Sequence, residues 1–203
     1  IYDPARGGKV AGPRFHYLCG EGARLERALG SWMVQFHAEE HGYREMRVPL
    51  LVKPEALEGT GQLPNLEAEM YRVPARRSLG EGGRDDDLFL IPTAEVPLVN
   101  FHRDEILDAE ALPLRYAALS VNFRREAGAA GRQTRGLVRG HQFEKVEMVQ
   151  FVLPERSGEA LEEMVGHAES VLRALGLAYR VVELGTRDLS FAAAKAYDLE
   201  VWS

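Results

Sequence analysis

Arginines, carboxylates and aromatic rings interleave over residues 123–151 in a way that could handle phosphate. Phe123-Arg124-Arg125-Glu126 reads as the end of a strand, and a stretch rich in Gly and Ala follows to Gly131. Thr134-Arg135-Gly136-Leu137-Val138-Arg139-Gly140-His141-Gln142-Phe143 then leads back into an apolar run. Side chains alternate between the faces of a strand, so Arg124 and Glu126 share a face, as do Arg139, Phe143 and Glu147 on the returning strand. Paired as a hairpin, one face would hold guanidinium groups, a ring and a carboxylate. Such a face suits ATP, since arginines neutralise phosphate oxygens and a ring can stack on adenine. A solvated hairpin with scattered charge is the plainer alternative, because exposed charge is the ordinary condition of a surface. Thr93-Ala94-Glu95 offers a hydroxyl and a carboxylate within three residues, although a capping Thr and a surface Glu would look the same. Asp198 and Glu200 alternate with Tyr197, Leu199 and Val201, as a half-buried strand should, and could be two solvent-facing acids.

The elements that must carry these residues are mixed. Leu25, Ala28, Leu29, Trp32, Met33 and Phe36 recur at helical spacing over residues 21–40, with Gly42 as the stop. Residues 43–52 read as a strand interrupted by Pro49, and residues 88–91, 116–123 and 146–153 as further strands. A second amphipathic helix is predicted over residues 159–175, ended by Gly176, followed by strands over 179–184 and 196–202. Residues 1–20 read as an irregular lead-in, and residues 74–87, polar and rich in Gly, as the clearest loop. Strands in runs with two long helices favour an α+β fold with a largely antiparallel sheet. Regular βαβ alternation is absent, and so are the glycine fingerprints of Rossmann and P-loop nucleotide sites.

Composition narrows the setting. The 203 residues are 45% apolar, enough for one domain with a real core. No apolar run is long enough to cross a membrane, and no secretory leader is visible. Cys19 is the single cysteine, which excludes an internal disulfide and any paired-thiolate site and fits a cytoplasmic protein. The formal charge of −6 argues against a broad nucleic-acid grip by this chain, which usually needs a basic patch. The chain starts at Ile1 and its final strand candidate runs into the end, so it is expected to be a piece of something longer.

The string F-R-x-E-A-G, then R-x-T-R-G-L, then R-x-H-Q-F-x-K-V-E resembles motif 2 of the class II aminoacyl-tRNA synthetases in the form typical of seryl-tRNA synthetases. Residues 42–49 resemble motif 1, Glu58-Gly59-Thr60-Gly61-Gln62-Leu63-Pro64 a loop of the seryl enzymes, and Thr93-Ala94-Glu95 their T-x-E loop. Residues 193–202 resemble the strand with a magnesium-binding glutamate. The similarity spans residues 12–202. Motif 3 and the N-terminal tRNA-binding arm are missing, so residues 1–203 are expected to be a catalytic domain incomplete at its C-terminal end. The stretch 74–87 also looks longer than the usual turn.

The resemblance implies a class II-like antiparallel sheet flanked by helices, and an enzyme that activates serine with ATP and loads it onto tRNA(Ser). Arg124 would bridge the α-phosphate and the serine carboxylate, Arg139 would contact the γ-phosphate, and Phe143 would stack on adenine. Glu126 would sit by the adenine or the tRNA end, and Glu200 would hold Mg²⁺. Thr93, Glu95 and Glu147, with Arg124, would bind serine. The family also implies a homodimer through motif 1. No zinc is expected, since the zinc-dependent kind of seryl enzyme would need paired cysteines that this chain lacks, and no membrane partner is expected. His141 reads as structural, and His16, His37, His41, His102 and His167 show no ligand spacing. A relative that passes an activated amino acid to a carrier protein, and a non-catalytic paralogue, are the competing readings.

Overall fold

A computed structural model describes residues 1–74, 87–126, 139–190 and 192–202. Its centre is the antiparallel pair of β7 (Leu114–Phe123) and β8 (Gln142–Phe151), in register from Leu114↔Phe151 to Phe123↔Gln142. β3 (Arg44–Glu45) adds to the free edge of β7 in parallel, Arg44 opposite Tyr116, giving the order β3-β7-β8. Alternation then sorts the side chains. Ala117, with Leu119, Val146 and Met148 beside it, packs with Val34 and Tyr43 on one face. Tyr116 and Ala118, flanked by Val149 and Phe151, pack with Ala94 and Leu98 on the other. β7 is covered on both faces, which explains its near-continuous apolar run.

The first face is covered by α2 (Glu21–His41), which buries Gly30, Val34 and His37. At Gly30 a Cβ would lie 2.9 Å from the Leu119 side chain, so glycine permits the close crossing. Gly42 ends the helix at φ 67°, donates to the His37 carbonyl and turns the chain into β3. The helix is the predicted one, but its inward face is not. Leu25 and Leu29 of the expected apolar stripe are exposed, whereas Gly30 and Val34 meet the sheet and His37 is buried beside Tyr43. Periodicity finds an apolar stripe without saying which surface it will meet.

A smaller antiparallel sheet, ordered β4 (Leu51–Val52), β6 (Leu88–Leu90) and β5 (Tyr71–Val73), packs around Leu57 of α3 (Pro54–Gly59) and Val96 of α4 (Glu95–Val99). Leu57, Ile91, Val96 and Leu98 are fully buried, each contributing about 1.5–3 kcal/mol. Ile91 ties the sheets together: its N–H donates to the Leu50 carbonyl at 3.0 Å, and its carbonyl accepts from Phe123 at 2.9 Å. The strand expected over residues 43–52 is therefore two strands in two sheets, separated around Pro49. Nor is the lead-in irregular. It holds β1 (Tyr2–Asp3), α1 (Pro4–Ala11) and β2 (Tyr17–Leu18), with Pro4 in the first turn and Asp3 capping the Arg6 amide at 2.9 Å. Of the expected 74–87 loop, residues 75–86 lie outside the described residues.

α5 (Ser157–Ala174) packs on α2, and β9 (Tyr179–Glu183) pairs antiparallel with β10 (Tyr197–Val201). Among the described residues, no helix is long and apolar enough to cross a membrane. The α2–α5 contact gathers three histidines that spacing had not joined to α5. The i, i+4 pair His37 and His41 has its Nδ1 atoms 3.0 Å apart, and the His41 and His167 rings stack at 4.0 Å. Tyr43 Oη lies 3.2 Å from His167 Nδ1, and Ser170 Oγ lies 3.3 Å from His41 Nε2.

Burial, followed by the charges His41 and His167 would carry, pushes His37 down from 6.5 to about 4. His41 and His167 are lowered too, chiefly by burial. A histidine whose folded value is depressed binds its proton more readily when unfolded, so its contribution is complete above pH 6.5 and disappears as pH falls toward 4. Urea midpoints measured from pH 7 to pH 4 should show a loss on the order of 3 kcal/mol, and His37→Gln should flatten that slope.

Candidate active site

The hairpin register brings Ala118, Ser120 and Asn122 opposite Glu147, Lys145 and Phe143 on the face that α4 covers. Arg124 continues that face beyond β7. Its amide donates to the His141 carbonyl at 3.0 Å, its carbonyl lies 3.0 Å from His141 Nδ1, and its Nε donates to the Pro92 carbonyl at 3.1 Å. Its Cζ lies 5.3 Å from the Phe143 ring centroid, so the cation sits over the ring. The expected partnership of Arg124 with Phe143 is present, and His141 holds the backbone from which Arg124 projects.

Glu126 leaves the strand at φ 50°. Its carbonyl accepts from Arg14 Nη1 at 3.2 Å, and its Oε2 lies 2.8 Å from Arg139 Nη1 on the opposite limb. Arg139 and Glu126 thus neutralise each other across the hairpin mouth. The segment between them, with Thr134 and Arg135 of the quoted motif, lies outside the described residues, which resume at Arg139.

A second group centres on the buried hydroxyl of Thr93. Thr93 Oγ1 accepts from Lys145 Nζ at 2.8 Å and from the Glu95 amide at 3.2 Å, and donates to Glu147 Oε2. Lys145 is also ion-paired with Glu147. Thr93 and Glu147, separated by 54 positions in the chain, therefore meet as expected. Glu95, at the start of α4, opens to solvent at the rim of this group. Desolvation by its surroundings, then the nearby Glu147 carboxylate, pushes its carboxyl above the ordinary 4.5, against the opposing pull of Lys145 and Arg124. A partly desolvated carboxylate near another, still open to solvent, suits a cationic ligand group such as a primary ammonium. Sequence reasoning passed over Lys145, although its odd position places it on the same face as Phe143 and Glu147.

Glu200 belongs to a separate two-stranded sheet. It lies exposed on β10, where its Oε2 pairs with Arg180 Nε across the β9–β10 ribbon at 2.5 Å. Among the described residues, no cluster of three or more His, Cys, Asp or Glu is arranged to hold a metal ion.

An arginine held over a ring at the mouth of a hairpin, on an antiparallel sheet backed by helices, defines a class. Residues 79–203 match the family described as the tRNA synthetase class II core domain (G, H, P, S and T), and the chain belongs to that family. It is 57% identical over 202 residues to the serine–tRNA ligase of Lysinibacillus sphaericus and 54% identical over 202 residues to that of Halalkalibacterium halodurans. Each match covers 100% of this chain but 45% of the relative, so the chain spans about half the length of the curated relatives it matches. Among solved structures, it is similar to a seryl-tRNA synthetase from Pyrococcus horikoshii complexed with ATP, at TM-score 0.88 and 40% identity, covering 99% of this chain and 42% of that one. A cytoplasmic serine–tRNA ligase from Naegleria fowleri in complex with AMP gives TM-score 0.89 and 36% identity, covering 99% of this chain and 45% of that one. The expected α+β class is borne out, with the parallel β3–β7 pair as the exception to an otherwise antiparallel scheme.

Because Glu147 helps to raise Glu95, Glu147→Gln should bring the Glu95 midpoint back toward the ordinary carboxylate value. Carbon-detected NMR titration of labelled glutamates, assigned with Glu95→Gln, measures it; an unmoved midpoint would mean the two carboxylates do not sense each other.

Proposed function

We propose that this chain is most of the catalytic core of a serine–tRNA ligase, which activates serine with ATP and transfers it to tRNA(Ser). The juxtaposition of Arg124 and Phe143 with the Thr93, Glu95 and Glu147 group carries the reading, because each set suits one of the two substrates. The ATP and AMP complexes named for the structural relatives support the nucleotide assignment.

In the first step a serine carboxylate oxygen attacks the α-phosphorus of ATP in line. The bond from that phosphorus to the bridging oxygen breaks, pyrophosphate leaves, and seryl-adenylate forms. Both reactants are anionic, so the site must supply positive charge and alignment rather than a general base. Arg124 bridges the carboxylate and the α-phosphate, held by the Pro92 carbonyl and the His141 backbone. Phe143 stacks on adenine, and Arg139 exchanges Glu126 for the γ-phosphate. Glu126 is then free to meet the adenine or the tRNA end. Glu95 takes the serine ammonium while Glu147 accepts from the serine hydroxyl, and an acceptor left unpaired by alanine would reject it. In the second step a ribose hydroxyl of the tRNA attacks the acyl carbon and AMP leaves.

Glu200 is the residue that would hold Mg²⁺, since its Oε1 is not engaged by Arg180. When bound, the ion would offset charge on the phosphates while retaining much of its own water. No zinc is part of this reading. The chain's net negative charge assigns most of the tRNA grip to the rest of the parent, whose place is the cytoplasm. The exposed Leu25 and Leu29 of α2, the helix that leads into residues 42–49, support a homodimer through the motif 1 region.

Serine-dependent ATP–pyrophosphate exchange on the full-length parent tests the reading, with alanine and threonine as controls. Serine-selective exchange is expected, reduced about 10²–10³-fold or more by Arg124→Ala. No exchange with any amino acid, from a protein shown to be folded, would sink it in favour of a non-catalytic paralogue. For assembly, sedimentation at micromolar concentration should give a dimer, and Leu25→Asp with Leu29→Asp should shift it toward monomer. A wild-type protein that sediments only as monomer would count against the interface.

A further inference from the structure

We infer that Lys145 is a positioning residue of the amino-acid subsite: it fixes the hydrogen-bond direction through Thr93 to Glu147 and supplies the cation that lets two carboxylates share one small site. The inference rests on the proposed function and names a component of that same site.

Lys145 stands opposite Ser120, on the face that holds Phe143 and Glu147. Its ammonium reaches Thr93 Oγ1 at 2.8 Å and also contacts Glu147 Oε2. A threonine hydroxyl has one proton to give. With Lys145 and the Glu95 amide donating into its oxygen, that proton is directed to Glu147. The order Lys145 to Thr93 to Glu147 therefore fixes Glu147 by its Oε2 and presents its other oxygen to a ligand hydroxyl. An exposed lysine–glutamate pair usually contributes little. This pair differs in geometry: its side chains are 33% and 20% exposed, and the hydroxyl it shares belongs to a residue only 5% exposed.

The second role is charge balance. Glu147, Lys145 and Arg124 are the charged groups acting on Glu95. Arg124 is assigned to the serine carboxylate and the α-phosphate, which leaves Lys145, in contact with Glu147, as the cation that offsets the upward push of Glu147 on Glu95. Without Lys145, a proton on Glu95 becomes the easier way to relieve their repulsion, and a protonated Glu95 no longer attracts the serine ammonium.

Lys145→Met and Lys145→Arg in the full-length protein, assayed by ATP–pyrophosphate exchange from pH 5.5 to 8.5, separate these roles from a structural one. The methionine variant should raise the KM for serine about 10- to 100-fold, with the KM for ATP unchanged and kcat changed less than KM. It should narrow the preference for serine over alanine, and the acid limb of kcat/KM for serine should move to higher pH. The arginine variant should recover most of the affinity. An unchanged serine KM and pH profile in the methionine variant, with serine-dependent exchange intact in the wild type, would overturn this inference alone. So would an equal rise in both KM values. Absence of exchange in the folded wild type would overturn the proposed function and this inference with it.

Discussion

Ten paired positions between β7 and β8 set the geometry on which the rest of the molecule depends. Because side chains alternate, that register sends Ala117, Leu119, Val146 and Met148 under α2 and leaves the opposite set for α4 and the site. A slip of one residue on β8 would carry Phe143, Lys145 and Glu147 to the helix side and bring Gln142, Glu144 and Val146 to the ligand side. The apolar contacts with Val34 and Tyr43 oppose such a slip on one face, and those with Ala94 and Leu98 oppose it on the other. Stability and site assembly are thus enforced by the same packing.

Electrostatics in the site are organised by pairing. Acids outnumber bases in the chain, and Arg124, Arg139 and Lys145 are each fixed by a local acceptor. Arg124 is held by a neutral carbonyl and an aromatic face, so its charge remains available. Arg139 is neutralised by Glu126, and Lys145 is divided between Thr93 and Glu147. Arg124, Arg139 and Lys145 thus differ in what holds them, a difference that residue type alone does not convey.

Much of this was legible in the sequence because it obeys local periods. The long helices, the hairpin strands and the alternation within each strand follow from spacings of 3.6 and 2 residues, whereas the shared face of Arg124 and Phe143 depends on the register of the pairing. What escaped were choices made by tertiary contact. Part of the apolar stripe of α2, Leu25 and Leu29, is exposed, while Gly30 and Val34 meet the sheet. Residues 43–52 divide between two sheets because Arg44 pairs with Tyr116 while Leu51 pairs with Leu90, partners that lie far off in sequence. The helix at residues 4–11 was hidden by glycines that lower helical propensity, one of which, Gly7, is needed because a Cβ would collide with the backbone of Phe15 and His16. The histidine group requires α5 to approach α2, which no local pattern encodes. Glu200 was recognisable by resemblance, yet its described partner is Arg180.

The Pro92 carbonyl has a wider consequence. It anchors Arg124, and the next residue, Thr93, begins the group that holds Glu147 and Glu95. One stretch of backbone therefore serves as a common mount for Arg124 and for the Thr93 group, itself pinned by Ile91 to Leu50 and Phe123. Any change that displaces this mount moves both sets together. On the proposed function, nucleotide affinity and amino-acid affinity are therefore coupled through the backbone of residues 91–95, and only the side chains that project from it or from β8 can adjust one without the other.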